Sequence, residues 1–372
     1  MSVKRLAFFS VFHPYRGGIA QYNEALLKAF STHCEANAYT FSRQYPSLLF
    51  PGTSQLVPAE SMRENSHIPR LLDTLNPFSW RSTAKEILAS KPDALFLSYW
   101  MPFFGLSMGV LAREAHKAGI KVGAIMHNIT PHEPSVMDKH LNQYFVNGLD
   151  FGVVMSKGVS EDFRRLAPQK PFILHPHPVY THFGKKIAQE EARQHFGIPE
   201  DATVYLFFGL IRAYKGLDIL LKAFAQMLQP QAHLLIAGEC YEPLERYEKL
   251  IQECPNAQNI HFHAKYIPDS DVVTYFSAAD VNVLPYRTAT QSGVLSVAYH
   301  FDIPVIVTDV GGLREAVEPY QSGLVVNPND ESALKAAMEH FLTKPNYAQA
   351  IESFKMKYSW TELAAKILEA YN

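Results

Sequence analysis

Short apolar runs alternate along this chain with stretches in which apolar residues recur at every third or fourth position. In the first half, runs at residues 6–12, 36–41, 94–99, 122–126 and 151–155 predict buried strands. Between them, Ile19, Tyr22, Leu26 and Phe30 line one face of a helix. Helical spacing returns at 80–89, 106–117 and 160–166. Strands that are apolar throughout are covered on both faces, and strand–helix alternation is the pattern of a doubly wound parallel sheet.

The pattern breaks over residues 172–184, Phe-Ile-Leu-His-Pro-His-Pro-Val-Tyr-Thr-His-Phe-Gly, where two prolines and no periodicity predict a linker. After a charged helix at 188–196 the alternation restarts. Strands are expected at 204–208, 233–237, 260–263, 281–285, 305–308 and 324–326, and helices at 217–227, 247–254, 272–278, 294–301 and 332–342. A last helix at 358–371 carries Trp360, Leu363, Ile367 and Ala370 on one face. With 372 residues the chain exceeds what one core usually organises. Two α/β domains of similar size are therefore expected, with ligands in the cleft between them.

One segment imitates a membrane span. Residues 94–112 contain no charged side chain, and a crossing needs about 20 apolar residues. Pro102 and Gly105 interrupt the run, so it reads as a buried strand, a turn and a helix that continues through Arg113, Glu114 and Lys117.

Candidate chemistry gathers where strands run into helices, which is where open α/β sheets bind ligands. The run ending at Phe208 meets Gly209, and the loop behind it carries Arg212 and Lys215 before the 217–227 helix. Two fixed cations suit a diphosphate, because arginine makes paired hydrogen bonds to phosphate oxygens and lysine adds a point charge. Solvated charges on an ordinary loop fit the pattern equally well, and on either reading both side chains are expected to be exposed. Gly17 and Gly18 follow the first strand and open the first helix, where backbone N–H groups can approach an anion; a plain tight turn fits too. The full Gly-x-Gly-x-x-Gly dinucleotide fingerprint is absent.

His127 is the first residue beyond the 122–126 strand, in His-Asn-Ile-Thr-Pro-His-Glu, and is either a ligand contact or a loop histidine. Gln291, Ser292, Gly293 and Val294 lead into the 294–301 helix and form either an anion site or a plain serine cap. Glu315 follows Gly311-Gly312 and either touches a ligand or favours the first turn of a helix. His175, His177 and His182 in the linker are weak evidence for zinc without other ligands, so no metal is expected.

Composition narrows the picture. The formal net charge of −2 gives no reason to expect a nucleic-acid partner. Residues 1–182 hold 18 Lys+Arg against 13 Asp+Glu, a balance of +5, and the remainder 16 against 23, a balance of −7. The basic half leaves room for weak contact with an anionic surface. Cys34, Cys240 and Cys254 are odd in number and widely separated, which fits a reducing compartment rather than a disulfide framework. No secretory signal is recognised at the start, and a cytoplasmic protein, peripheral at most to the inner membrane face, is expected.

Taken in order, Gly17-Gly18, His127 in its motif, Gly209…Arg212…Lys215-Gly216, Ala279-Asp280-Val-Asn-Val-Leu-Pro285, Ser292-Gly293, Pro304-Val-Ile-Val-Thr308 and Gly311-Gly312…Glu315 resemble the family-four retaining glycosyltransferases of the glycosyltransferase-B fold. The resemblance spans nearly the whole chain. It implies two Rossmann-like domains facing each other across a cleft. The first would be an acceptor domain, residues 1–178, joined by a C-terminal helix, 356–372, that crosses back to it. The second would be a donor domain, residues 179–355. It implies a nucleotide-diphosphate sugar as donor, a glycan or lipid-linked acceptor, retention at the anomeric carbon, and no metal or other cofactor. Arg212 and Lys215 would neutralise the leaving diphosphate, His127 would touch the donor sugar, and Gly17, Gly18, Gln291, Ser292, Gly293, Val294 and Glu315 would line the donor.

The chain departs from the family at one place. The usual Glu-x(7)-Glu pair falls on Ala289 and Val297, neither of which can bond a sugar or ribose; Gln291 is a substitute for the first. Two other readings remain open: a nucleotide-sugar 2-epimerase on the same fold, which needs carboxylates in the cleft, and a degenerate homologue that binds a nucleotide sugar without turning it over.

Overall fold

The computed structural model describes residues 3–46, 55–57, 68–129, 136–343 and 345–372. It divides into two compact units, Met1–Pro176 with Ser359–Asn372, and His177–Tyr358.

The strands of the first unit are β1 (Arg5–Phe9), β2 (Glu35–Arg43), β3 (Arg70–Asp73), β4 (Ala94–Tyr99), β5 (Lys121–Met126), β6 (Phe151–Val154) and β7 (Phe172–Leu174). Its helices are α1 (Gly18–Phe30), α2 (Pro77–Ala89), α3 (Gly105–Lys117), α4 (Val136–Asn147) and α5 (Lys157–Leu166). The parallel sheet runs β3-β2-β1-β4-β5-β6-β7, so β1 lies where the strand order reverses.

The second unit holds α6 (Gln189–Phe196), β8 (Thr203–Phe208), α7 (Leu217–Ala225), β9 (Ala232–Ala237), α8 (Glu245–Gln252), β10 (Ile260–His263), α9 (Asp269–Ala278) and β11 (Val281–Leu284). It continues with α10 (Gly293–His300), β12 (Val305–Thr308), α11 (Leu313–Val317), β13 (Gly323–Val326), α12 (Glu331–Phe341) and α13 (Ala348–Lys357). Its parallel sheet runs β10-β9-β8-β11-β12-β13, with β8 at the reversal. Each sheet is sandwiched by helices over its own apolar core.

The imitation of a membrane span resolves into core. All six residues of β4 are buried, and α3 presents Met108, Leu111, Ala112 and Ala115 to the interior. No helix among the described residues is long and apolar enough to cross a membrane.

The last helix, α14 (Trp360–Glu369), belongs to the first unit, where it packs on α1 through Trp360 against Tyr22 at 4.8 Å between ring centroids. Beyond the helix, Tyr371 ties the chain to the sheet. Its hydroxyl accepts from Gly123 N at 3.1 Å and donates to the Leu95 carbonyl at 2.6 Å.

The linker reading of 172–184 needs one correction. Residues Phe172–Leu174 pair in parallel with β6 as the sheet edge, and the irregular chain begins only at His175. A three-residue, half-exposed edge strand followed by two prolines leaves too little alternation to read.

Candidate functional site

The site in the second unit is built by β8 and β11, neighbours across the reversal of strand order. The β-branched and aromatic run of β8 is buried as far as Phe207. Gly209 then turns the chain at φ 103°. Ile211, fully buried, bridges to Cys240 and pins the loop against the strand end after β9. Arg212 to Lys215 make one tight turn, and Gly216 enters α7 at φ 69°. A β-carbon at Gly216 would lie 2.0 Å from the Pro285 carbonyl oxygen, so the loop after β11 approaches too closely for any other residue.

This packing buries Lys215, contrary to the expectation of an exposed cation; only 9% of it is accessible. Its Nζ lies 3.5 Å from where a Gly209 β-carbon would be, and donates to the Tyr286 hydroxyl at 2.8 Å. That hydroxyl also bonds Ser292 Oγ at 3.1 Å. Among the described residues no carboxylate pairs with Lys215. Asp218, three positions on, is claimed by Arg287 at 2.8 Å and Arg246 at 2.8 Å. Burial raises the Asp218 pKa, but the hydrogen bond and charge of Arg287 outweigh it and hold the carboxyl below its ordinary value. For Lys215, burial depresses the ammonium pKa; Tyr214 opposes this and the charge of Arg212 adds to it. An ammonium taken out of water without a counter-charge is costly unless an anion arrives.

Arg212 is half-buried, with its guanidinium 4.9 Å from the Tyr241 ring centroid and its Nε buried without a partner. Across the crevice, Ser292 stands at the N-cap position of α10 yet makes no side-chain cap, because its hydroxyl is turned to Tyr286. Gly293 opens the helix beside the linker: a β-carbon there would be 3.5 Å from Tyr180 Oη and 3.8 Å from His177 Nε2. Val294 Cγ2 lies 3.2 Å from the β-carbon position of Gly209. Gln291 Oε1 is buried and unpartnered. The predicted residues Lys215, Ser292, Gly293 and Val294 thus converge with Gly209.

Glu315 lies in the first turn of α11, and ahead of it Gly311, at φ 51°, approaches the Ala289 carbonyl. Val297 is 5% exposed in α10.

In the first unit, Gly17 caps α1 at φ 114°, and Gly17 and Gly18 are exposed with open space where β-carbons would be. His127 is buried at the end of β5. Its Nε2 bonds Ser98 Oγ at 2.8 Å and its ring meets Tyr22 edge-on at 4.8 Å. Residues 130–133 of its motif lie outside the described residues. Asn23 donates to Ser10 Oγ at 2.9 Å, and Ser10 donates to the Ser98 carbonyl at 3.3 Å.

Two participants carried no signal in the sequence: Tyr286 reads as an aromatic at a strand end and Tyr180 as linker, while His177 stood out only as weak evidence for zinc. No group of three or more histidine, cysteine, aspartate or glutamate side chains among the described residues is placed to hold a metal ion.

Residues 188–357 match the family model for glycosyl transferases group 1. A D-inositol 3-phosphate glycosyltransferase of Corynebacterium urealyticum is 30% identical over 200 residues, covering 50% of this chain and 47% of that protein. The chain therefore spans about half the length of the curated relatives it matches. Among solved structures, the sucrose-phosphate synthase of Thermosynechococcus elongatus superposes with a TM-score of 0.76 at 21% identity, covering 99% of this chain and 98% of that one. Anabaena HepE in complex with UDP-glucose gives 0.74 at 16% identity, covering 98% and 99%. At such identities the superpositions speak for the fold, and the family match speaks for lineage. The second unit thus resembles the group 1 glycosyl transferases, and the chain as a whole has the two-domain glycosyltransferase-B fold of these solved structures.

Proposed function

We propose that this chain transfers a glycosyl group from a nucleotide-diphosphate sugar to a glycan or lipid-linked acceptor, with retention at the anomeric carbon and without a metal ion. The observation that carries the reading is Lys215: a lysine 9% exposed, with no carboxylate partner, at the strand-order reversal of the domain that matches the family. A diphosphate supplies the missing counter-charge. As the donor bond breaks, negative charge grows on the leaving phosphate, and fixed cations in a dry site stabilise it without reorganising.

In this reading Lys215 and Arg212 are the charge-neutralising pair. Ser292, Gly293 and Val294 offer the uncapped start of α10 to a phosphate oxygen. Gln291, with its unpartnered buried oxygen, is the candidate replacement for the lost glutamate and accepts from a donor hydroxyl. Glu315 takes a place farther along the donor. Gly17, Gly18 and His127 are the contribution of the first unit, with His127 assigned to the donor sugar. The basic balance of the first half is assigned to weak, salt-sensitive contact with anionic lipid at the inner face of a membrane.

The test is a thermal-shift panel of UDP-, GDP- and ADP-sugars, followed by product analysis with the donor that shifts most. The preferred donor raises the melting temperature by ligand linkage, the product keeps the anomeric configuration, and activity survives excess EDTA. A donor that binds and is never consumed would leave only a nucleotide-sugar binder. Loss of activity in EDTA with recovery on Mg²⁺ would move charge neutralisation from Lys215 to a metal.

A further inference from the structure

Lys215 and Ser292 stand 77 residues apart in sequence and meet on one atom, the hydroxyl oxygen of Tyr286. Tyr286 is 2% exposed, and burial raises its pKa, so the phenol stays neutral. An ammonium only donates. The phenol oxygen therefore accepts from Lys215 at 2.8 Å, and its own hydrogen is directed to Ser292 Oγ at 3.1 Å. Ser292 keeps its hydroxyl hydrogen, and among the described residues nothing accepts it. Both donations run from Lys215 through Tyr286 toward Ser292, at the start of α10.

We propose that Tyr286 is a positioning residue for the diphosphate, one that holds the Lys215 ammonium and the Ser292 hydroxyl in register until the anion replaces it as their acceptor. This rests on the donor-site reading above. The phenol is the ammonium's sole hydrogen-bond partner among the described residues. The ring holds Nζ as well, at 4.6 Å from its centroid.

The handover has a consequence in protons. A buried lysine held only by a neutral oxygen gives up its proton more readily than one facing a dianion. A bound dianion raises the Lys215 pKa that burial lowers, so binding is expected to draw a proton from the buffer at a pH where the free lysine is partly neutral. The other ionisable groups around Nζ are accounted for. Arg212 and Tyr214 share its loop, Asp218 on α7 is paired with Arg287 and Arg246, Glu239 accepts from Tyr241 under the Arg212 guanidinium, and Glu242 accepts from Ala213 N and Tyr247 and pairs with Arg246.

The test is calorimetric titration of UDP into the wild type, Tyr286→Phe, Lys215→Met and the double variant. It is run at about pH 8.5, above the second phosphate pKa of about 6, in buffers of different ionisation enthalpy. The wild type takes up protons on binding, and its affinity falls with rising pH by up to about tenfold per unit. Tyr286→Phe keeps the buried ring and removes the acceptor that holds the Lys215 proton in the free protein; UDP then binds about tenfold more weakly at this pH, because more of Lys215 must be recharged on binding, and the pH dependence moves to lower pH. Lys215→Met removes the uptake, and adding Tyr286→Phe to it changes affinity no further. A tyrosine that only fills space would lower the melting temperature and leave the pH profile unmoved. An equal loss in both lysine backgrounds would overturn the positioning role, as would binding without proton uptake. Failure of the wild type to bind any UDP would instead bring down the donor-site reading, and this inference with it.

Discussion

The two units present the same topological place and fill it differently. In each, the first strand lies at the reversal of strand order, β1 between β2 and β4, β8 between β9 and β11. In the first unit the groups there bond to one another: Asn23 to Ser10, Ser10 to the Ser98 carbonyl, Ser98 to His127. The glycines that open α1 face open space. In the second unit a lysine is buried with a phenol as its only hydrogen-bond partner among the described residues, and the glycine that opens α7 is pressed against the facing loop. Parallel topology makes a crevice at this place, and the side chains decide whether it is an open rim or a fixed electrostatic socket. The second unit holds a buried, unpaired cation there, and on the proposed reading that is where the anion binds.

Removing the socket's charge is the largest test of that contrast. Lys215→Ala should lower turnover by about a hundredfold or more, in the range of losing one preorganised donor to a developing anion. Arg212→Ala, half-buried and partly solvated, should cost about tenfold. Melting temperature should hold or rise in the lysine variant, because an unpaired buried charge has gone. Steady-state rates with the preferred donor, beside thermal unfolding, check both. Unimpaired turnover would reduce the socket to a packing accident.

Backbone geometry gives the next largest contrast. Gly216→Ala places a β-carbon 2.0 Å from the Pro285 oxygen at a φ of 69°. It should cost about 2–4 kcal/mol, from left-handed strain and forced displacement together. Gly18→Ala puts a methyl into open space at the start of a helix. It should stabilise by up to about 1 kcal/mol through the unfolded chain. Urea unfolding of both variants measures the difference. Equal and small effects would mean that the two loops are alike after all.

How much of this was legible obeys the same physics. β4 and β12 were bounded to the residue, because a buried run flanked by polar or turn residues announces both its ends; half-buried β10 was bounded too, by its alternation of Ile260 and Phe262 with His261 and His263. β3 went unread, since only Leu72 of Arg70–Asp73 is buried. So did α4 and α13. At the site, the cations and glycines stood out because they sit at strand ends, which sequence can locate. The burial of Lys215, the role of Tyr286 and the approach of Pro285 to Gly216 did not. Each is a contact between loops about 70 residues apart, and no local period encodes it.

The smallest expected effect sharpens the comparison in acid. At the outer edge of the second sheet, His233 Nδ1 and His261 Nε2 lie 3.2 Å apart, so one hydrogen is shared between two facing ring nitrogens. Charging the accepting ring would break that bond. Burial first, and then the neighbouring His233 and His263, lower the His261 pKa to about 4. His233 and His263 move in the same direction, also chiefly by burial. In the first unit His175 is lowered too, chiefly by burial. These groups are depressed in the folded state, so the neutral rings stabilise it fully above the unfolded value of about 6.5. That contribution drains away as pH falls from there toward about 4. Solvent screening at this half-exposed edge keeps the effect to a few degrees of melting temperature. Hydrogen exchange at about pH 7 and about pH 5 should show β9 and β10 losing protection before the strands of the first unit do. His261→Asn should narrow that gap. If both units lost protection together, and the variant changed nothing, the acid-sensitive element would have to be sought away from the histidine pair.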